Sequence, residues 1–337
     1  MASLRNRQPD HRGTGAWATC FRESVARTLG TLTAAAKPRV CVGFSGGLDS
    51  TVLLDLLAEV REAVPMSLSA VHVHHGLSPN ADAWVRHCRA VCRKYRVPFQ
   101  LKRVSVDRAS RTSLEEQARK ARYAALSTVR ADVIALAHHA DDQAETVLLQ
   151  LLRGAGAKGL AGMPASKPLR TAGHVGLLVW RPLLGCTRIE LARHAAGRQL
   201  KWIEDESNLD VRFKRNFVRT EVMPVLARGF PAPVETLARA ARHLAEAADL
   251  ADALADIDLA RTKHPGGLDV RELKLLDDAR LKNALRRWLD QHGMRQPSEA
   301  RLLALLRALR QSSNDSRLAW AHEGQTVRRA KGVLTCD

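Results

Sequence analysis

The sequence lacks any apolar run of the ~18 residues that a membrane-crossing helix needs, so no span is expected. Its first twenty residues, MASLRNRQPDHRGTGAWATC, carry arginines but no apolar core of the roughly 7–15 residues that marks a secretory signal. They read as the start of a flexible basic extension, residues 1–37, in preference to an organellar transit peptide. There is no C-x-x-C pair. The six cysteines stand at 20, 41, 88, 92, 186 and 336, and only Cys88 and Cys92 are close, as C-x-x-x-C. That spacing gives no support to a zinc ribbon or a redox motif, and dispersed cysteines suit a reducing cytoplasm. Acids are scarce: 35 Asp and Glu face 53 Lys and Arg, a net charge of +18. Such an excess repels itself, and a polyanionic partner, nucleic acid, is the usual reason for carrying it. No internal repeat is evident.

What is present is 337 residues, 45% of them apolar, enough for two domains. The first half alternates β-rich runs with helical stretches. RVCVGFS (39–45) reads as a buried strand, followed by an apolar helix over 50–64. LSAVHVHH (68–75), FQLKRVSV (99–106) and DVIALAHH (132–139) read as further strands, each followed by a helix, at 81–96, 113–130 and 141–154. The third of these helices opens on Ser113 and Glu116, the spacing of a capping box. A last strand is expected at 176–184 and a helix at 188–200. The segment 153–164, RGAGAKGLAGMP, reads as too glycine-rich for a regular element.

This alternation predicts an α/β fold with a mostly parallel, doubly wound sheet and a C-terminal α-helical domain. The expected division is a basic extension over 1–37, a catalytic domain over 38–225, a helical RNA-contacting domain over 226–312, and a hairpin-like tail over 313–337 turning near Glu323–Gly324. Ligands of such sheets sit beyond the carboxyl ends of the strands. Three unusual segments fall there: the glycine loop, His72–Gly76 and His138–Glu145.

In the loop Ser45-Gly46-Gly47-Leu48-Asp49-Ser50 no lysine follows the glycines, so it is not a Walker A loop. Glycines let several N–H groups point at one anion, the helix start adds its positive end, and two serines add hydroxyls. Asp49 has the wrong sign to bind phosphate and makes sense if Mg²⁺ lies between them. A donor nest with a metal-binding acid suits a departing pyrophosphate. The plainer alternative is a strand–turn–helix with glycines for close packing. Asp142 and Glu145, three apart on a helix, share one face and could hold an ammonium or merely form an acidic helix start. His72, His74 and His75 are explained by packing more simply than by a metal. The segment DVRFKRNFVR sets Arg212, Lys214, Arg215 and Arg219 around two phenylalanines. Its cations suit RNA phosphates, and its aromatics are expected to anchor the segment to the core.

The S-G-G-x-D-S loop resembles the PP-loop ATP pyrophosphatases. Further segments (71–84, 113–123, 136–164, 181–184 and 202–219) resemble the tRNA(Ile)-lysidine synthetases, closely over about 38–220. The long H-x-x-D-D-Q-x-E-T pattern followed by E-D-x-S-N is the specific part. The resemblance implies ATP, with Mg²⁺, adenylating the 2-oxo oxygen of the wobble cytidine of tRNA(Ile) with anticodon CAU. The ε-amine of free L-lysine then displaces AMP, and the products are lysidine, AMP and pyrophosphate. It implies that Ser45 to Ser50 hold the β and γ phosphates and that Asp49 meets the metal. It places Asp142 and Glu145 at the lysine amine, one of them taking its proton. His138 becomes a donor to ATP or the cytidine. Arg122 becomes a clamp on phosphate or activated cytidine, with Arg119 a weaker candidate. Some relatives carry a further C-terminal domain that grips the acceptor stem; here only a short segment follows the helices, which leaves rejection of elongator methionine tRNA unexplained. A dimer is admissible. A tRNA thiolase would need catalytic cysteines that Cys88 and Cys92 are poorly spaced to supply. A small-molecule amidating ligase would need neither the charge nor the RFKRNFVR segment. A non-catalytic tRNA binder would not need the two intact motifs.

Overall fold

A computed structural model describes residues 14–105, 114–169, 176–206, 210–311, 318–322 and 324–336. The chain divides into two compact units, Met1–Ala241 and Arg242–Asp337.

The first unit opens with helix α1 (Thr14–Leu32), followed by β1 (Arg39–Gly43), α2 (Leu48–Val60), β2 (Ser67–His74), α3 (Ala81–Lys94), β3 (Phe99–Arg103) and α4 (Leu114–Ser127). Then come β4 (Val133–Ala135), α5 (Ala140–Leu151), the single turn α6 (Ala157–Leu160), β5 (Ser166–Pro168), β6 (Leu178–Trp180) and α7 (Arg188–Gly197). The six strands lie in the order β3-β2-β1-β4-β6-β5. All neighbours are parallel except β5, which runs antiparallel to β6 at the edge. Strand β1 pairs with β2 on one side and β4 on the other, so the winding reverses between β1 and β4 and opens a crevice at their carboxyl ends.

Val40, Cys41 and Val42 are all fully buried, as expected of a central parallel strand covered on both faces. One face packs α1, α2, α3 and α7 through Phe21, Val25, Leu53, Leu57, Cys88 and Leu191. The other packs α4 and the β5–β6 edge through Leu126, Val129, Leu169 and Val179. Residues 14–32 are thus not a flexible extension: they form a helix, because Phe21, Val25 and Leu29 make one apolar face that covers the core. Part of 153–164 is also regular, since α6 completes one turn there. Strand β5 was not expected. The capping box at Ser113 lies outside the described residues.

A short α8 (Lys214–Phe217), a π-helical turn (Val218–Val222) and α9 (Met223–Gly229) follow, and α10 (Pro233–Arg261) contributes residues to both units. The second unit adds β7 (Lys263–His264), β8 (Gly267–Asp269), α11 (Val270–Leu275), α12 (Asp278–Gln291), α13 (Glu299–Gln311), β9 (Leu318–His322), β10 (Gln325–Ala330) and β11 (Val333–Cys336). Strands β9 and β10 pair antiparallel, with His322 opposite Gln325; Glu323 lies outside the described residues. The pair belongs to a five-stranded antiparallel sheet, β7-β8-β11-β10-β9, closed over Leu281, Leu285, Trp288, Leu302 and Leu305.

Candidate functional site

The glycine loop leaves β1 and enters α2 with Gly47 as its N-cap. Gly46 sits at φ +88°, where a side chain is strained, and an added Cβ would come 2.8 Å from both Cys88 Sγ and Ile203 Cδ1. Glycine is therefore required twice over. The Gly46 carbonyl accepts from Ile203 N–H at 2.8 Å, which ties the loop to the stretch after α7. Inside the loop the N–H of Gly46 donates to Ser50 Oγ (3.2 Å) and that of Gly47 to Ser45 Oγ (3.3 Å), both long bonds.

The amino ends of α2 and α5 converge on the crevice, each presenting the positive end of its dipole. Between them lies His139, 2% exposed, its Nε2 3.6 Å from Asp49 Oδ2 and 3.5 Å from Asp142 Oδ2, its Nδ1 3.4 Å from Asp141 Oδ2. Burial opposes its charging, but Asp141, Asp49 and Asp142 more than offset this and raise its pKa to about 10. His139 is thus an imidazolium bridging the phosphate loop and the α5 carboxylates. The sequence pointed to its neighbour, His138. That ring turns the other way: burial first, then the charges of Arg181, Arg122 and Arg215, lower its pKa to about 3 despite Asp142. It is a neutral ring with an unpartnered, buried Nδ1. The adjacent pair therefore divides into one charged and one neutral histidine.

Each polar residue of the α5 motif has a separate contact. Asp141 accepts from Arg188 N–H at the start of α7 (2.8 Å). Asp142 accepts from His139 N–H (3.2 Å). Gln143 clamps the following loop, donating to Met163 O (3.1 Å) and accepting from Met163 N–H (2.7 Å). Glu145, 2% exposed, receives both Nε (2.6 Å) and Nη2 (3.0 Å) of Arg219, whose Nη2 also reaches Asp142 Oδ1 at 3.2 Å. Burial raises the Glu145 pKa, and Arg219 and Arg215 offset only part of that rise.

The expected site residues thus come together around α5 with one rearrangement. Arg215 and Arg219, read from sequence as phosphate contacts, face inward. Arg215 Nη2 donates to Thr146 Oγ1 (2.7 Å), and its Nε lies 3.3 Å from Glu145 Oε2. A buried carboxylate demands a cation more strongly than a solvated surface does. Arg212 and Lys214 do face solvent, Arg212 paired with Asp210 at 2.7 Å. Phe217 is 49% exposed, so Asn216 and Val218, not that ring, anchor the segment. Arg122 lies beside Tyr123, its Nε buried without a partner. His72 is a packing residue, as read, with Nδ1 2.9 Å from Phe44 O.

Among the described residues no group of three or more His, Cys, Asp or Glu could hold a metal by itself. Asp49 Oδ1 is nonetheless buried with no hydrogen-bond partner. One free carboxylate oxygen beside the glycine loop is chemically suited to a hard cation such as Mg²⁺.

A switch-point loop without a lysine, backed by an aspartate with one unpartnered buried oxygen, defines a PP-loop nucleotide-binding protein. The PP-loop domain family matches residues 21–226, and the TilS substrate binding domain matches 268–335. The fold is similar to that of the U34-tRNA thiolase NcsA from Methanococcus maripaludis, with TM-score 0.57 and 18% identity over 73% of this chain and 89% of that one. The chain is 49% identical to the tRNA(Ile)-lysidine synthase of Chromobacterium violaceum over 79% of its own length and 60% of the relative's. It is 46% identical to that of Pseudomonas aeruginosa (87% of this chain, 68% of the relative) and 38% identical to that of Coxiella burnetii (93% and 68%). The chain belongs to the tRNA(Ile)-lysidine synthase family. It spans about 60% of the length of the Chromobacterium relative. Among the described residues no helix is long and apolar enough to cross a membrane.

Proposed function

We propose that this chain makes lysidine: ATP adenylates the 2-oxo oxygen of the wobble cytidine of a CAU-anticodon isoleucine tRNA, and the lysine ε-amine then displaces AMP from carbon 2. The observation that carries the reading is the continuous line from the glycine loop through Asp49, His139, Asp142 and Arg219 to Glu145. It supports an anion subsite beside a cation subsite, as a reaction that uses both a triphosphate and an amine requires.

In this reading the N–H groups of Gly46 and Gly47 exchange their long bonds to Ser50 and Ser45 for phosphate oxygens. Mg²⁺, held by Asp49 and the phosphates, supplies charge neutralisation for the leaving pyrophosphate. The imidazolium of His139 fixes Asp49 and Asp142 in place and adds a positive charge where pyrophosphate develops. Asp142 and Glu145 already hold one organic cation, Arg219, which supports their recognising the lysine ammonium. Glu145, whose pKa burial raises, takes the proton as the amine attacks. Solvent-facing Arg212 and Lys214 meet tRNA phosphates.

Incubation with ATP, lysine and isoleucine tRNA, then nucleoside mass analysis of the digested tRNA, tests the reading. Cytidine gaining the mass of lysine less water is expected. Its absence overturns the proposal.

A further inference from the structure

Helix α4 carries Arg119, Arg122 and Tyr123, and the β5–β6 edge faces them with Lys167 and Arg181. The cationic centres of Arg119, Arg122 and Lys167 lie 5.0, 5.7 and 5.8 Å from the centre of the Tyr123 ring. Arg181, 2% exposed, is anchored through Nη1 to Pro164 O (2.7 Å), while its Nε is buried without a partner. The Arg122 Nε is likewise buried and unpartnered. Among the described residues none of the four cations pairs with a carboxylate within 4 Å. One aromatic face stabilises a cation by about 0.5–1 kcal/mol at exposed sites, too little to gather several mutually repelling charges at a half-buried ring. The pKa values of Arg122, Lys167 and Arg181 are all lowered, by burial first; Tyr123 offsets part of the fall and the neighbouring arginines add to it. The cluster has donors to spare, the Nε atoms of Arg122 and Arg181, and no paired carboxylate among the described residues.

We propose that Arg119, Arg122, Lys167 and Arg181, set around Tyr123, form an anion subsite that takes a backbone phosphodiester of the substrate RNA beside the reacting nucleotide. Two observations favour RNA over the nucleotide triphosphate. The β5 edge is three strands from β1, roughly 14 Å at ~4.8 Å per strand, so the loop that follows β1 cannot share its phosphates with Lys167. The cluster also joins the reaction site at His138, on which the charges of both Arg181 and Arg122 act together with Asp142. A phosphate held there would seat its nucleotide over the α5 carboxylates.

The inference rests on RNA being the substrate, so its test is kept separate from the lysidine assay. Half-buried Lys167 and exposed Arg119 are changed to Ala singly and together in the full chain, with thermal melts checking the fold. Binding of an isoleucine-tRNA anticodon stem-loop is measured against salt, and binding of a non-hydrolysable ATP analogue in parallel. Each substitution is expected to flatten the plot of log affinity against log salt by about 1, the double variant by about 2, with analogue binding unchanged. An unchanged salt slope overturns the subsite, as does weakened analogue binding with RNA binding intact. A wild-type chain that forms lysidine while the variants keep its slope loses the subsite alone. One that forms none loses the functional reading, whatever the slopes.

Discussion

At the scale of single residues, charge placement distinguishes groups that look alike in the sequence. Asp49 has one oxygen facing His139 and the other buried without a partner. Asp49→Ala is expected to reduce pyrophosphate release from ATP by about 100-fold or more while tRNA binding stays near wild type. Loss of both would make Asp49 a structural residue. Glu145→Gln keeps the shape but removes a charge, and should raise the lysine KM by about tenfold or more with the ATP KM little changed. His139 has its own pH signature. Its folded pKa, about 10, exceeds the ordinary 6.5, so the stability it contributes is complete below about pH 6.5 and is lost as pH rises through 10. Alkaline unfolding followed in wild type and His139→Gln should show this difference shrinking towards pH 10. The paired motifs singled out Asp49, Asp142 and Glu145 without coordinates, and the structure brings the three near His139 and Arg219. His139 could have been found from its place beside His138, but which ring faces the carboxylates depends on how β4 ends and α5 begins.

At the scale of elements, a buried acid joins three helices. Asp55 on α2, 1% exposed, accepts from Tyr95 Oη (2.7 Å), which follows α3, and from Arg198 (3.2 Å), which follows α7, and lies 2.9 Å from His194 Nε2 on α7. Burial would raise its pKa, but His194, Tyr95 and Arg198 outweigh that and lower it to about 2. The stabilisation is therefore present above the ordinary 3.8 and disappears as pH falls through 2. Asp55→Ala leaves its buried partners unmatched and should cost about 3–5 kcal/mol at neutral pH. Urea melts should show the deficit narrowing below pH 3.8; a constant deficit would assign it to packing. The strand–helix alternation was readable from apolar runs because parallel strands are buried on both faces. The antiparallel edge strand β5 was not, since a three-residue strand carries too little pattern to register.

At the scale of the whole molecule, a charge of +18 is balanced inside and unbalanced outside. Arg215 and Arg219 serve the buried Glu145, and in the second unit Arg280 pairs with the fully buried Asp258 and Arg287 with the half-buried Asp252 and Asp256. Those side chains add nothing to an RNA footprint. Binding of tRNA should thus weaken steeply with salt, yet Arg287→Ala should reduce stability while leaving the salt slope unchanged. A flattened slope in that variant would return Arg287 to the RNA surface.

Composition, strand–helix alternation and two motifs were enough, by themselves, to determine the α/β class, the glycine turn after β1 and the shared helix face of Asp142 and Glu145, because backbone turns and helical spacing are local properties. Which arginines are spent on buried acids, which histidine carries charge, and where four cations gather without an anion were decided only by the tertiary structure. Each depends on desolvation by residues distant along the chain, and no local pattern encodes that.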